Sequence, residues 1–556
     1  MNSIACRLFC LALAFLLCAD AGSDAQPASG AIALSGTVRS AREGLMEGVL
    51  VTAKRDGATI STTVVSDEKG TFKFPASYLA PGHYRLKIRA VGYDLAGPSV
   101  ADVVEGSPVN VNLVLKLTAD LASQLTNAEW LMSMPGSDEQ KRPLGDCTGC
   151  HTLRLITQSK FTAKEFEKLI PLMGTYAPGS QPGRRQVIPP GPRGNRGVSD
   201  EALAGAIAQH LETVNRSKTG ALSYALQTLP RPKGRATHVI ITTYDLPRSN
   251  AEPHDVIMSG GHIYYSDFGS QILGELDPVT GKVVDYELPV LKPEEPRGTL
   301  GLDADKAGNI WIALMYQGGL AKLDAATKKI VVYPIPMEWQ NASTQESMLA
   351  ARHSDVDGKV WTNDQSDHSF LRLDVASGQY EKIPPLKDQN GQGINGYGIP
   401  SDAGNNLFPL EFSGAGAKVG RIDAKTRMLT SWTSSLGRAR PRRGAFDDAG
   451  VLWFGEFGAD AIGRYDPKTN RLEEWKSPVK WSMPYDAVKA NKTGEVWAAS
   501  MMDDRITRFN PKTQQWTDYL APEEINVRRV FFDDSSNSFW IGSNHKPTIV
   551  RLEPLD

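Results

Sequence analysis

Between residues 237 and 556 one phrase of sequence returns seven times, and few folds accommodate it. The phrase is a turn, an apolar–aromatic pair and a short polar stretch, then a strand ending in aspartate. Gly308-Asn309-Ile310-Trp311-Ile312, Gly358-Lys359-Val360-Trp361-Thr362, Gly450-Val451-Leu452-Trp453-Phe454, Gly494-Glu495-Val496-Trp497-Ala498 and Ser538-Phe539-Trp540-Ile541 carry it. Ile263-Tyr264-Tyr265 and Leu407-Phe408 fill the other two slots. The central aromatic positions 264, 311, 361, 408, 453, 497 and 540 lie 47, 50, 47, 45, 44 and 43 residues apart. A steady period of this length marks a repeat architecture. Four short strands per repeat predict the blades of a seven-bladed β-propeller, with the aromatic residues as packing between blades. The last copy stops at Leu552-Glu553-Pro554-Leu555-Asp556 without an outer strand, and residues 239–246 supply one from the front of the domain. The ring is predicted to close through that exchange.

Residues 146–151, Asp-Cys-Thr-Gly-Cys-His, carry the most specific chemistry. Cys-x-x-Cys-His is the attachment run of c-type haem: two thiols form thioethers to the vinyl groups and the adjacent imidazole becomes the proximal iron ligand. Cys147, Cys150 and His151 are therefore assigned to one covalent haem c. A thioredoxin-like redox pair would place a strand before the motif, and a zinc site would need a second pair of thiols. The other cysteines, Cys6, Cys10 and Cys18, lie within the first eighteen residues.

Residues 1–25 have the form of a secretory signal peptide. Arg7 precedes an apolar stretch, 8–18, and small residues follow in Ala19-Asp20-Ala21 and Ser23-Asp24-Ala25. The stretch is far short of the ~20 residues of a spanning helix. Export agrees with haem attachment, and the expected location is the periplasm. With 61 basic and 63 acidic residues the formal charge is −2, so nothing favours nucleic acid or a membrane surface as a partner.

Ahead of the propeller lie two further segments. Residues 30–117 are β-branched-rich and broken by glycine turns, as in Thr62-Thr63-Val64-Val65-Ser66-Asp67-Glu68-Lys69-Gly70-Thr71-Phe72-Lys73-Phe74, then Leu79-Ala80-Pro81-Gly82-His83-Tyr84 and Val91-Gly92-Tyr93. This stretch resembles the carboxypeptidase regulatory-like domain, which implies a small prealbumin-like β-sandwich with a structural or docking role. Residues 120–216 turn helical. A helix is expected over 121–132, a second opens at Thr162-Ala163-Lys164-Glu165, where a threonine three residues before a glutamate makes a capping box, and a third runs from about 199 to 214 after a Pro/Gly/Arg-rich loop at 178–198. The segment resembles a small all-α class I cytochrome c. Such a domain needs a sixth iron ligand, and Met173, 22 residues after His151, is the candidate for position; Met132, Met134, His210 and an open site are the alternatives. The fold class expected is thus multidomain and mainly β.

The innermost propeller strands open with His254, Arg297, Tyr397, Arg442, Tyr485 and Arg528, which are predicted to share one mouth of the channel. A basic funnel favours anionic or oxygen-rich ligands. The phrases Trp453-Phe454-Gly455-Glu456, Ala461-Ile462-Gly463-Arg464 and Glu252-Pro253-His254-Asp255 resemble the virginiamycin B lyase (streptogramin lyase) family. That resemblance implies Glu252 and Asp267 near a Mg²⁺ ion and His254 as general acid/base. It also meets a departure, because Val527-Arg528-Arg529-Val530 stands where the family places a second histidine. Three functions follow as expectations: a periplasmic oxidoreductase or its electron-transfer module, with a redox protein or an anionic small molecule as partner; a Mg²⁺-dependent carbon–oxygen lyase; or an electron carrier whose propeller is a docking platform.

Overall fold

The structure, a computed structural model, describes residues 30–189, 201–341, 344–412 and 418–556. The segment read as a signal peptide and positions 190–198 of the Arg-rich loop lie outside these residues. The fold is mainly β, a sandwich joined to a propeller-like ring.

Six four-stranded antiparallel sheets follow one another from Pro253–Ser259 to Gln515–Leu520. A seventh, Val530–Asp533, Ser538–Gly542 and Thr548–Pro554, takes Val239–Asp245 as its outer strand. The repeated phrase makes each sheet for a local reason. In the turn before Trp311, Asp305 Oδ1 accepts the Ala307 and Asn309 amides at 3.0 Å each, and Oδ2 accepts the Trp311 indole N–H at 2.9 Å. Asp447 repeats this with Val451 and Trp453. An aspartate that satisfies both turn and indole locks the strand start. The tryptophans then stack along the blade, Trp311 on Tyr333 at 5.5 Å and Trp453 on Trp475 at 5.9 Å, or across to the next, Trp497 on Phe539 at 5.5 Å.

In the sandwich, alternation sets the inner face: along Gly82–Arg89 the side chains of Tyr84 and Leu86 point in, joining Leu34, Val51, Phe72, Phe74 and Leu113. One of its sheets does not end at its edge. Ile60–Val65 pairs antiparallel with Val239–Asp245, Ile240 opposite Val64 and Tyr244 opposite Ile60, so sandwich and seventh blade are one eight-stranded sheet. Arg89 clamps the junction, donating to Asp504 Oδ2 at 2.6 Å and to the Ala521 and Glu523 carbonyls at 2.8 and 2.6 Å. The sequence reading left these modules separate; their continuity is the main departure in architecture.

Between sandwich and propeller runs a helical layer: α1 (Asn127–Ser133), α2 (Asp138–Lys141), α3 (Leu144–Cys147), α4 (Leu153–Thr157), α5 (Ala163–Gly174) and α6 (Glu201–Val214). Capping boxes start α1 at Thr126/Glu129, α2 at Ser137/Gln140 and α5 at Thr162/Glu165. The expected self-contained all-α domain is not what these helices form. Trp130, Leu131, Leu144 and Leu153 share one apolar cluster with Phe457, Trp481, Met483, Tyr485, Met501 and Met502 of the propeller. Helices this short bury too little surface to close a core alone. No helix among the described residues is long and apolar enough to cross a membrane.

Ile241 is fully buried in the closing strand. Ile241→Ala should cost about 2–5 kcal/mol, read as a lower guanidinium midpoint at an unchanged m-value.

Candidate functional site

The mouth of the ring is built around His254. It opens the first blade on Pro253–Ser259 and is 1% exposed. Its Nδ1 lies 2.7 Å from Asp255 Oδ1 and its Nε2 3.4 Å from the Tyr485 hydroxyl, which sits 2.5 Å from the Tyr397 hydroxyl. Burial pushes the His254 imidazole down to about 3 against the pull of Asp255. Burial alone would raise Asp255, but Arg443, His254 and Arg529 outweigh it and bring that carboxyl down to about 2. The result is a neutral imidazole whose Nδ1–H faces a carboxylate, leaving the Nε2 lone pair toward Tyr485. Burial keeps Tyr485 protonated. Asp255, His254, Tyr485 and Tyr397 thus form a chain able to move a proton between the mouth and the ring interior.

The arginines divide by alternation. Arg442 and Arg528 face the mouth, while their neighbours Arg443 and Arg529 turn inward onto Asp255. Sequence reading found the first pair and missed the second, although the side-chain period of two along a strand predicts opposite faces for adjacent residues. Arg297 does not join them: it is exposed, and its peptide N–H and carbonyl, 2.7 and 2.9 Å from the Gln186 amide, make its contacts.

The carboxylates proposed for Mg²⁺ are already paired with cations. Glu252 holds Arg184 at 2.7 Å and Asp267 holds Arg248 at 2.6 Å. Burial, opposed by Arg184, raises Glu252 to about 8; burial also raises Asp267 against Arg248. No three His, Cys, Asp or Glu side chains converge among the described residues. A divalent ion does not fit this arrangement. Arg184 arrives on the 175–188 loop from the helical layer, and Gly179 permits the approach: a Cβ there would lie 2.0 Å from the Phe268 carbonyl oxygen.

Above the mouth sits the Cys-x-x-Cys-His turn. Asn526 Nδ2 donates to the Thr148 carbonyl at 3.1 Å and Arg528 Nη2 to the Gly149 carbonyl at 3.0 Å. Asp460 supports the seat by accepting the amides of Trp481 and Met483 at 3.0 and 2.9 Å, both residues being left-handed (φ 65° and 49°). Met483 then packs directly under Gly145. No disulfide joins Cys147 and Cys150, and a helix, not a strand, precedes the motif. Burial pushes the Cys147 thiol up to about 12, opposite to what a nucleophilic dithiol needs. His151 Nδ1 lies 3.0 Å from the Thr152 carbonyl, which fixes the tautomer that leaves Nε2 for a metal. These donors fit a covalent haem.

The residues expected as sixth-ligand candidates lie in different surroundings. Met173 ends α5 with a 48% exposed side chain, Met134 is buried, Met132 packs at the edge of the shared core, and His210 lies buried against Gly136.

Fold and mouth together define the class: a sandwich-braced, propeller-like β protein whose cationic mouth is roofed by a Cys-x-x-Cys-His turn. Residues 33–116 match the carboxypeptidase regulatory-like domain. Over an alignment 238 residues long, which covers 39% of this chain and 72% of the relative, the sequence is 24% identical to the 6-deoxy-6-sulfogluconolactonase of Pseudomonas putida. Solved structures similar to the propeller include a streptogramin B lyase (20% identity, 58% of this chain and 99% of that one, TM-score 0.47). The virginiamycin B lyase of Staphylococcus aureus is another (16%, 57% and 99%, TM-score 0.49).

His254 gives a pH signature. Its folded pKa, about 3, lies below the ordinary histidine value of 6.5, so the stability tied to the neutral imidazole is present above pH 6.5 and lost as pH falls toward 3. His254→Asn should flatten the fall of unfolding free energy between those pH values, relative to wild type, in parallel denaturant titrations.

Proposed function

We propose that the protein is an exported c-type haem protein that exchanges single electrons with a molecule bound in the propeller mouth. The observation that carries this reading is the seat of the Cys-x-x-Cys-His turn on that mouth, its Thr148 and Gly149 carbonyls held by Asn526 and Arg528. The bound haem would supply one-electron chemistry, with Cys147 and Cys150 as its covalent anchors and His151 Nε2 as its proximal donor. The chain's own residues do the rest. Arg442 and Arg528 give the mouth its positive charge, the Tyr397–Tyr485–His254 chain offers a hydrogen-bonded path for a proton, and the 175–188 loop is tied to the first blade through Arg184 and Glu252. For the sixth ligand we favour Met173, because its loop returns to the motif where Pro178 accepts from Cys150 Sγ at 3.9 Å.

A second reading has its own support. The neutral His254 imidazole, oriented by the Asp255 carboxylate, has the geometry of a general base that needs no electron acceptor, and the chain is similar in sequence to the lactonase named above. Turnover that needs no acceptor would favour it. Metal-dependent elimination is the weaker version, because both carboxylates are arginine-paired and arginine stands at the second histidine position.

Expressed with a c-type maturation system, the exported protein should give sharp α and β bands in a reduced-minus-oxidised spectrum and a haem mass adduct. Cys147→Ser/Cys150→Ser should abolish the adduct; full haem loading in that double variant would sink the assignment. Met173→Ala should remove the near-infrared sulfur-to-iron band and lower the potential, since ferrous iron loses a soft ligand. A band that persists in Met173→Ala moves the ligand elsewhere.

A further inference from the structure

Two guanidiniums in the mouth are held without acidic partners. Arg528 is 2% exposed, and its Nε, like that of Arg442, is shielded from solvent with no hydrogen-bond partner among the described residues. They face the same surroundings: Arg442 lies 3.9 Å from the centre of the Tyr485 ring and Arg528 5.3 Å, and Met501 Sδ is 3.9 Å from one and 2.8 Å from the other. Neither forms an ion pair among the described residues. Of the nearby acids, Glu252 pairs with Arg184, Asp255 with Arg443 and Asp267 with Arg248, while the buried Asp486 accepts the Val530 and Ala487 amides on the side of Arg443 and Arg529. Burying two like charges side by side is expensive unless an anion joins them.

The flat faces of Arg442 are covered by rings, Tyr485 at 3.9 Å, Phe412 at 4.1 Å and Phe457 at 4.6 Å. Only its edges can donate, and an edge of two parallel N–H groups is the geometry that a carboxylate accepts. Tyr397, Phe412 and Phe457 pack against one another beside it, a tilted and an edge-to-face contact that surround it with aromatic carbon. We propose that Arg442 and Arg528 form the binding site for a carboxylate group with an apolar or aromatic body, seated between the propeller mouth and the Cys-x-x-Cys-His turn. This names the substrate class for the mouth assigned above, and it rests on that assignment only for the redox role.

One carboxylate could also come from a haem propionate. Propionates leave the porphyrin on the edge opposite the vinyl groups, whereas Arg528 grips Gly149, between the two thioether cysteines. That placement favours a free carboxylate.

Benzoate is the probe and benzamide its uncharged counterpart, titrated calorimetrically into the full-length exported protein. Benzoate should bind saturably and benzamide should not. Arg442→Gln and Arg528→Gln should each weaken benzoate by about 10- to 100-fold, the range of a lost charge-assisted contact, with an unchanged or higher thermal midpoint because a like-charge repulsion is relieved. Should a glutamine variant fail to fold, Arg442→Lys and Arg528→Lys keep the charge but lose the fork, and a smaller weakening of the same sign is expected. Equal affinities for benzoate and benzamide, no benzoate binding, or unaltered binding in the variants overturns the site. Absence of benzoate binding together with a shifted pH dependence of the haem potential in Arg528→Gln assigns the carboxylate to a propionate, which also overturns it. A haem-free preparation that still binds benzoate through these arginines sustains the site while refuting the redox reading.

Discussion

Val239–Asp245 is the strand on which the molecule depends, because it is paired on both edges. On one side it completes the last blade against Thr548–Pro554; on the other it continues into Ile60–Val65 of the sandwich. A ring of sheets has to be fastened somewhere, and a terminal strand with a free edge would be both the weak point and a template for unwanted pairing. Here that edge is covered by a folded module whose own core, through Ile240, extends into the junction. Bracing the seventh blade also fixes Asn526, Arg528 and Arg529, which lie just before its first strand and form part of the mouth. The sandwich, remote from the chemistry, thereby helps to hold the site.

The mouth follows from a second constraint, the bookkeeping of buried charge. Three carboxylates that the ring buries there have an arginine: Arg184 for Glu252, Arg443 for Asp255, Arg248 for Asp267. The Asp255 pair orients His254 and keeps its Nε2 toward Tyr485. The Arg184 pair ties the 175–188 loop of the helical layer to the first blade. With the acids neutralised in this way, the remaining positive charge on Arg442 and Arg528 is uncompensated within the described protein. An anion-seeking mouth is the consequence, and the same pairing explains why a divalent cation does not fit beside Glu252 and Asp267.

Blade positions were legible in the sequence because each is built by contacts within a few residues. The aspartate of the turn, the glycine after it and the tryptophan beyond, as in Asp305, Gly308 and Trp311 or Asp447, Gly450 and Trp453, are close in chain and in space. The capping box at Thr162 was legible for the same reason. What could not be read were relations between distant segments: Arg184 reaching Glu252, Arg528 reaching Gly149, Ile60–Val65 joining the seventh blade. No local period or propensity encodes them. Arg443 and Arg529 lie between the two cases. Each follows a residue placed in the funnel and points the other way; alternation along Pro441–Phe446 turns Arg443 inward, whereas Arg529 stands just before its strand. The inward aspartate that receives both, Asp255, stands beside the histidine that drew attention first.

Several departures from local rules meet at the mouth. Trp481 and Met483, both bulky, hold left-handed backbone that side chains with a Cβ normally avoid. The shielded Nε groups of Arg442 and Arg528 lack partners. A buried imidazole is kept neutral by its surroundings rather than by its intrinsic basicity. A chain selected for stability alone would relax such features, whereas folds retain them where a site needs them. In the blades' Trp–Asp turns the local preferences and the fold agree. At the mouth and in the helical turn seated on it the two conflict, and Asp460, by accepting the amides of both left-handed residues, keeps that seat in place.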